Sequence, residues 1–265
     1  NIDRKQFEIK DLNSENLILQ ENLASREERK EYIRYNLVKS GFTEVINFPF
    51  TQNKESYSFK LDNPLDSNKP FLRTCLRESL VNNLLYNERR QRDSIKLFEL
   101  TEVYTKDSND ELQSKTALAL IASGRMGKNY KEFTKKISKD TLKGNLCEIF
   151  NEKDFNIEEI HRSDLDTKKK DKIFFMEILL DDLKNLEKKE KLSDDNLDMD
   201  FKTFEPISDF PLINRDLSLL LKKQTSLDAL NECINSIDIP ILKETFIFDF
   251  YYNEKDGFLK IGYRF

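Results

Sequence analysis

A chain of 265 residues has room for one or two conventional cores, because domains commonly run to roughly 100–200 residues. Charged residues make up 35% of it and hydrophobic residues 38%, a polar balance that still holds too much Phe, Ile and Leu for a chain disordered throughout. The formal net charge of -5 excludes a generally basic nucleic-acid-coating surface, since neutralising phosphates needs Lys and Arg in excess; any RNA contact is expected to be local.

The three cysteines, Cys75, Cys147 and Cys233, stand far apart with no CxxC pair, which argues against a disulfide framework or a zinc site. The N-terminal residues carry no apolar signal core, and no stretch reaches the roughly 18 apolar residues of a membrane span. A reducing, cytoplasmic setting away from membranes is the expectation. Asn1 is not a start methionine, and the chain stops at Phe265 inside a strand-like pattern, which reads as a fragment.

In chain order, residues 1–24 show weak periodicity and read as a lead-in. Ser25 and Glu28 form an S-x-x-E capping box, predicting a helix that runs to Lys39 and stops at Gly41, with Ile33 and Leu37 on one face. The β-branched and aromatic stretch 42–50 predicts a strand that Pro49 confines to a terminus or edge. Leu76, Leu80 and Leu84 recur at spacing four and predict an amphipathic helix over 76–89. Strands follow at 95–104 and 116–123, joined by a wide polar loop. A helix is expected over 140–150, weakened by Gly144, and an apolar strand over 172–180. Residues 184–200 mix charges, lack aromatics and read as a linker. Beyond it come a strand at 215–221, a helix at 226–237, a strand at 243–252 and, after Asp256 and Gly257, a strand at 258–265.

Motifs of chemistry are sparse. His161 is the single histidine and reads as a loop or surface residue. The six glycines form neither a Walker A loop nor a G-x-G-x-x-G fingerprint; Gly124-Arg125-Met126-Gly127 is a loop after a strand. The lysine-rich run 168–172 reads as a solvated loop. Phe246, Phe248, Phe250 and Tyr252 alternate along one strand and are expected on one buried face. From Phe204 onward Lys and Arg number 7 against 10 Asp and Glu, a difference of -3, so electrostatics alone would not bring RNA to this part.

Several segments together resemble the β subunit of bacterial-type phenylalanyl-tRNA synthetase, over about residues 20–265. Leu37-Val38-Lys39-Ser40-Gly41-Phe42-Thr43-Glu44-Val45, leading to Pro49, looks like motif 1 of class II synthetases. Asn63-Pro64-Leu65, Leu72-Arg73-Thr74, the leucine-rich stretch 76–87, and Leu97-Phe98-Glu99-Leu100 with Val103-Tyr104 resemble the family's most specific signature. Lys143-Gly144 looks like its K-G turn into a helix. Phe210-Pro211 and Arg215-Asp216-Leu217 resemble the opening of its anticodon-binding domain.

The resemblance implies an α+β architecture: a class II synthetase-like antiparallel sheet with flanking helices over 25–185, a charged linker over 186–203, and a truncated ferredoxin-like anticodon-binding domain over 204–265. That domain is expected to be incomplete at its C-terminus and of low local stability. It implies the parent activity of phenylalanine–tRNA ligase, in which this chain holds no catalytic, metal or cofactor site. Tyr104-Thr105-Lys106-Asp107 stands where an active synthetase would place an ATP-clamping arginine, and no motif 3 is present. ATP and magnesium are implied for the parent enzyme, with an α subunit in an α2β2 heterotetramer and tRNA(Phe) as partners. The resemblance assigns Phe42, Val45, Phe48 and Pro49 to subunit contact, against internal core as the plainer reading. It assigns Arg215, Lys222 and Lys223 to tRNA, against ordinary charged surface. A free-standing RNA-binding module with a degenerate class II fold and a self-sufficient ligase remain the alternatives.

Overall fold

The computed structural model of the chain describes residues 14–52, 55, 58–128, 130–150, 155–183, 206, 210, 213–222, 226–253 and 257–265, with side chains from residue 26 onward. The expected linker at 186–203 lies outside these residues, as do Lys223 and Pro211.

Helix α1 (Ser14–Lys39) begins well before the expected start, so Ser25 lies inside it and is not its cap. The physical reason is in the segment 14–24, which holds Leu and Glu, is free of Gly and Pro, and so gives a helix no cause to wait for a capping box. Ile33 and Leu37 are fully buried, as their shared face predicts. The helix ends where Gly41 adopts φ +83, and the Phe42 N–H returns to the Leu37 carbonyl at 3.0 Å, a left-handed terminus that favours glycine.

The expected strand 42–50 is broken in two. Strand β1 (Thr43–Glu44) and strand β2 (Phe50–Thr51) belong to different sheets. Between them the Asn47 N–H is taken by a Glu99 carboxylate oxygen at 3.2 Å, and Pro49 has no N–H to give a ladder. Strand β3 (Phe71–Leu72) pairs antiparallel with β2, and helix α2 (Arg77–Arg89) follows.

Strands β4 (Ser94–Lys106) and β5 (Leu112–Gly124) form a long hairpin whose loop is tighter than expected. Short helix α3 (Tyr130–Phe133) precedes α4 (Lys139–Phe150). Lys143 and Gly144 lie within α4, not in a turn leading to a helix; the space around Gly144 is open, so the glycine serves no close packing there. Strands β6 (Glu158–Ile160) and β7 (Ile173–Leu179) complete a sheet of order β1-β4-β5-β7-β6. It is antiparallel except at β1, which runs parallel to β4 with Thr43 opposite Leu97.

Both faces of this sheet are covered. Phe98, Leu118, Leu120, Phe174 and Met176 pack with α1 and α4, and Ala117, Ala119, Ile121, Ile173 and Phe175 pack with Leu80 and Leu84 of α2 and with Leu76 at its N-cap. A strand buried on both sides reads as an unbroken apolar run, which is why 117–122 shows no alternation.

The C-terminal unit holds strand β8 (Asp216–Lys222), helix α5 (Leu227–Asn235), strand β9 (Phe246–Asn253) and strand β10 (Phe258–Arg264), in antiparallel order β8-β10-β9. Ser226 caps α5 by accepting from the Ala229 N–H. The core here is small, built around Ile234, Ile261 and Tyr263. The aromatic alternation in β9 does not lie on one buried face. The register shifts at Gly262/Tyr263, with Gly262 opposite Asp249 and Tyr263 opposite Ile247, so Phe248 is an extra residue in a β-bulge. Phe246 and Phe248 turn to the ring of Phe133 in α3, while Phe250 and Tyr252 pair across from Ile261 and Leu259.

Candidate functional site

Arg73 and Glu99 of the Asn63–Tyr104 signature meet in a buried polar cluster, while Asn63 and Leu65 are exposed. Arg73, just after β3, places Nη1 2.8 Å from Glu99 Oε1, with the two side chains 6% and 2% exposed. Its Nη2 donates to Thr101 Oγ1 at 3.0 Å and its Nε to the Glu102 carbonyl at 3.3 Å. The Glu99 carboxylate also accepts from Asn47 Nδ2 at 2.8 Å and from Ser79 Oγ at 3.3 Å. Asn47 in turn accepts from Asn83 of α2 at 2.9 Å. A buried charge survives only when paired and hydrogen-bonded, and here each charged group is met. The cluster ties segment 45–49 to β4 and α2. Chemically it is a brace, because the guanidinium is turned onto Glu99 and cannot also clamp a phosphate.

A second carboxylate, Glu177 of β7, accepts from the Leu76 N–H through both oxygens at 3.2 Å, at the start of α2. Burial pushes its pKa up to about 7, against the lowering influence of that N–H and of Arg73 and Arg77. Arg77 pairs with Glu158 and lies over the Phe175 ring, 5.5 Å from its centroid. Farther along α2, Arg162 holds both oxygens of Glu88 and donates to Ser123 Oγ at 2.9 Å.

The four residues assigned to subunit contact separate. Phe42 is 3% exposed and belongs to the core between α1 and the sheet, so it is unavailable to a partner. Val45 is half-buried and packs against the opposite core. Phe48 is 84% exposed, and Pro49 is half-buried beside it. The sequence reading missed Ile46, 95% exposed, and the exposed Tyr35 and Val38 of α1. Their signal was legible: Tyr35 and Val38 are apolar residues off the stripe that Ile33 and Leu37 define. A surface hollow of about 460 Å³ runs along Tyr35, Val38 and Arg34, and Arg34 is bonded to Glu44 at 2.9 Å, joining α1 to β1.

Arg215 and Lys222 are both exposed. They stand at opposite ends of β8, and the Arg215 backbone exchanges two hydrogen bonds with Phe265. At roughly 3.3 Å per residue they do not form one patch. His161 is exposed at the start of a short turn. Lys169 and Lys172 of the lysine run pair with Asp93 and Glu159. Among the described residues no three His, Cys, Asp or Glu side chains group as metal ligands, and no helix is long and apolar enough to cross a membrane.

The model of the family described as phenylalanyl tRNA synthetase beta chain CLM domain matches residues 16–177, more than half of the chain. The chain belongs to the phenylalanyl-tRNA synthetase β-chain family. The match runs from α1 to Glu177 and so contains the Arg73–Glu99 brace. The phenylalanine–tRNA ligase β subunit of Bacillus licheniformis is 24% identical over 261 residues, covering 88% of this chain and 32% of that protein. The β subunit of Campylobacter jejuni is 28% identical over 244 residues, covering 84% and 31%. The chain thus spans about a third of the length of the curated relatives it matches. Among solved structures, a pyrrolysyl-tRNA synthetase from Desulfitobacterium hafniense aligns over 59% of this chain and 64% of that one, at TM-score 0.43 and 18% identity, a likeness too slight to add to the family assignment.

Proposed function

We propose that this chain is a non-catalytic part of the β subunit of phenylalanyl-tRNA synthetase, serving heterotetramer assembly with an α subunit and the positioning of tRNA(Phe) in a cytoplasmic enzyme. The observation that carries this reading is the exposure of Ile46 and Phe48 on a segment that Asn47 pins to the buried Glu99. Exposed apolar side chains on a braced backbone suit a preformed contact, because ordering cost is already met in the free chain. Pro49 belongs to the same surface. The C-terminal β-α-β-β unit is read as ferredoxin-like, and Arg215 and Lys222 are its proposed tRNA contacts.

Among the described residues, neither Arg73 nor the space beneath α1 suits an ATP site. Arg73 is committed to Glu99, and the space beneath α1 and α4, lined by Phe42, Leu142 and Phe174, is only about 10 Å³, no more than a single water needs. Charge on a transferred group would find no free arginine there. We read ATP and magnesium as belonging to the parent complex.

The test is co-expression with a phenylalanyl-tRNA synthetase α subunit from the same source, followed by size-exclusion chromatography and ATP–pyrophosphate exchange on each component and on the mixture. Co-elution, without exchange by this chain alone, is expected. Phenylalanine-dependent exchange by the purified chain would overturn the reading in favour of a self-sufficient ligase.

A further inference from the structure

Among the described residues the C-terminal sheet meets the five-stranded module around α3 and at Asp93, and the contact centres on a single ring. Phe133 of α3 is buried. From its own side Arg125 lies over it at 4.0 Å. From the C-terminal sheet, Phe246 and Phe248 approach at 5.8 and 5.7 Å between centroids, and the Arg264 guanidinium lies 5.2 Å from the same ring and 5.4 Å from that of Phe248. Arg264 is itself oriented by two 2.8 Å bonds to Asp216 and stands 3.7 Å from Asp93 of the module. At the rim, Lys128 pairs with Glu244 at 2.7 Å, and Tyr130 meets Phe250 at 5.2 Å.

Two backbone features serve this contact. Gly262 admits the Phe248 ring, since a Cβ there would lie 2.7 Å from it. Gly124, at φ +94, lets the loop start against the Asp93 carbonyl, where a Cβ would come within 2.1 Å. Stacked guanidinium and edge contacts to rings are directional, so they select an orientation as well as an approach.

We infer that Phe133 is a positioning residue that fixes the C-terminal sheet against the module, and that the face carrying Phe246 and Phe248 docks this chain on itself instead of offering a platform to nucleic-acid bases.

The test is zero-length carbodiimide coupling on the full chain, with the Lys128–Glu244 amide quantified by mass spectrometry. The wild-type chain gives the linked peptide. Phe133→Ser loses it and raises amide exchange in 246–253, while exchange in β4 and β5 stays unchanged. Should Phe133→Ser disturb the module, the double variant Phe246→Ser with Phe248→Ser loses the link from the other side. No link in the wild type, or a link that survives both variants, overturns the assignment. So does a double variant that keeps the link yet loses affinity for single-stranded RNA, which would give the face to RNA.

Discussion

Arg73 and Glu99 form an ion pair at 2.8 Å with both side chains almost wholly withdrawn from water. Removing one partner leaves the other buried and charged. Arg73→Met is therefore expected to lower unfolding free energy by about 3–5 kcal/mol, measured by urea denaturation. Changing Glu99 to Met in the same chain should cost less than the two single changes added together. Additive losses would mean that the two groups do not depend on each other.

Glu177 supplies a pH dependence whose sign follows from its raised pKa. Its ordinary value of 4.5 rises to about 7 in the folded chain, so between those values the folded state holds more protons than the unfolded one. Its contribution to stability is present at low pH and is lost as pH rises through that window, by roughly 1–3 kcal/mol. Glu177→Gln removes the titration. The stability of the variant relative to wild type should increase from pH 5 to pH 8 in parallel denaturation curves, and a constant difference would refute the assignment.

Phe42 and Phe48 sit close together in sequence and differ completely in setting, at 3% and 84% exposed. Phe42→Ala is expected to cost about 3–5 kcal/mol. Phe48→Ala should stay within about 0.5 kcal/mol in the isolated chain while weakening co-elution with the α subunit. Thermal melts and chromatography separate the two effects.

The C-terminal unit buries little, with Ile234, Ile261 and Tyr263 at its centre and Leu220, Ile213 and Ile241 exposed. Amides in β8 and β9, the two outer strands, should exchange on the order of tenfold or more faster than those in β4 and β5. Equal protection would show the unit to be as stable as the module.

What the sequence made legible was periodicity. Leu76, Leu80 and Leu84 marked α2, the strand expected over 116–123 falls within β5, and the helix expected over 226–237 contains α5. What it hid was long-range partnership. The stretch 42–50 has the composition of one strand, and it breaks because Glu99, distant in sequence, takes the Asn47 N–H. Likewise the four alternating aromatics of β9 follow a period of two until the bulge. Phe42 and Phe48 look alike as residues, and only the close of α1 at Gly41 decides which one turns inward. The family motifs led to the right segments and gave no warning that Arg73 is wholly engaged by the protein itself.

The extra residue in β9 has a consequence for how this chain can vary. A strand one residue shorter at 248 would keep its remaining cross-strand partners, because Asp249 already faces Gly262 and Ile247 already faces Tyr263. A deletion elsewhere among the paired residues of β9 would exchange the inward and outward side chains. Loss of Phe248 would remove the nearest obstacle to a Cβ at 262 but would not release that position from glycine, since the Asp249 Cβ would still lie 2.9 Å away. Strand length at 248 can thus change while the neighbouring strand keeps its glycine. Aligned sequences would record this as a gap at 248 with glycine retained at 262.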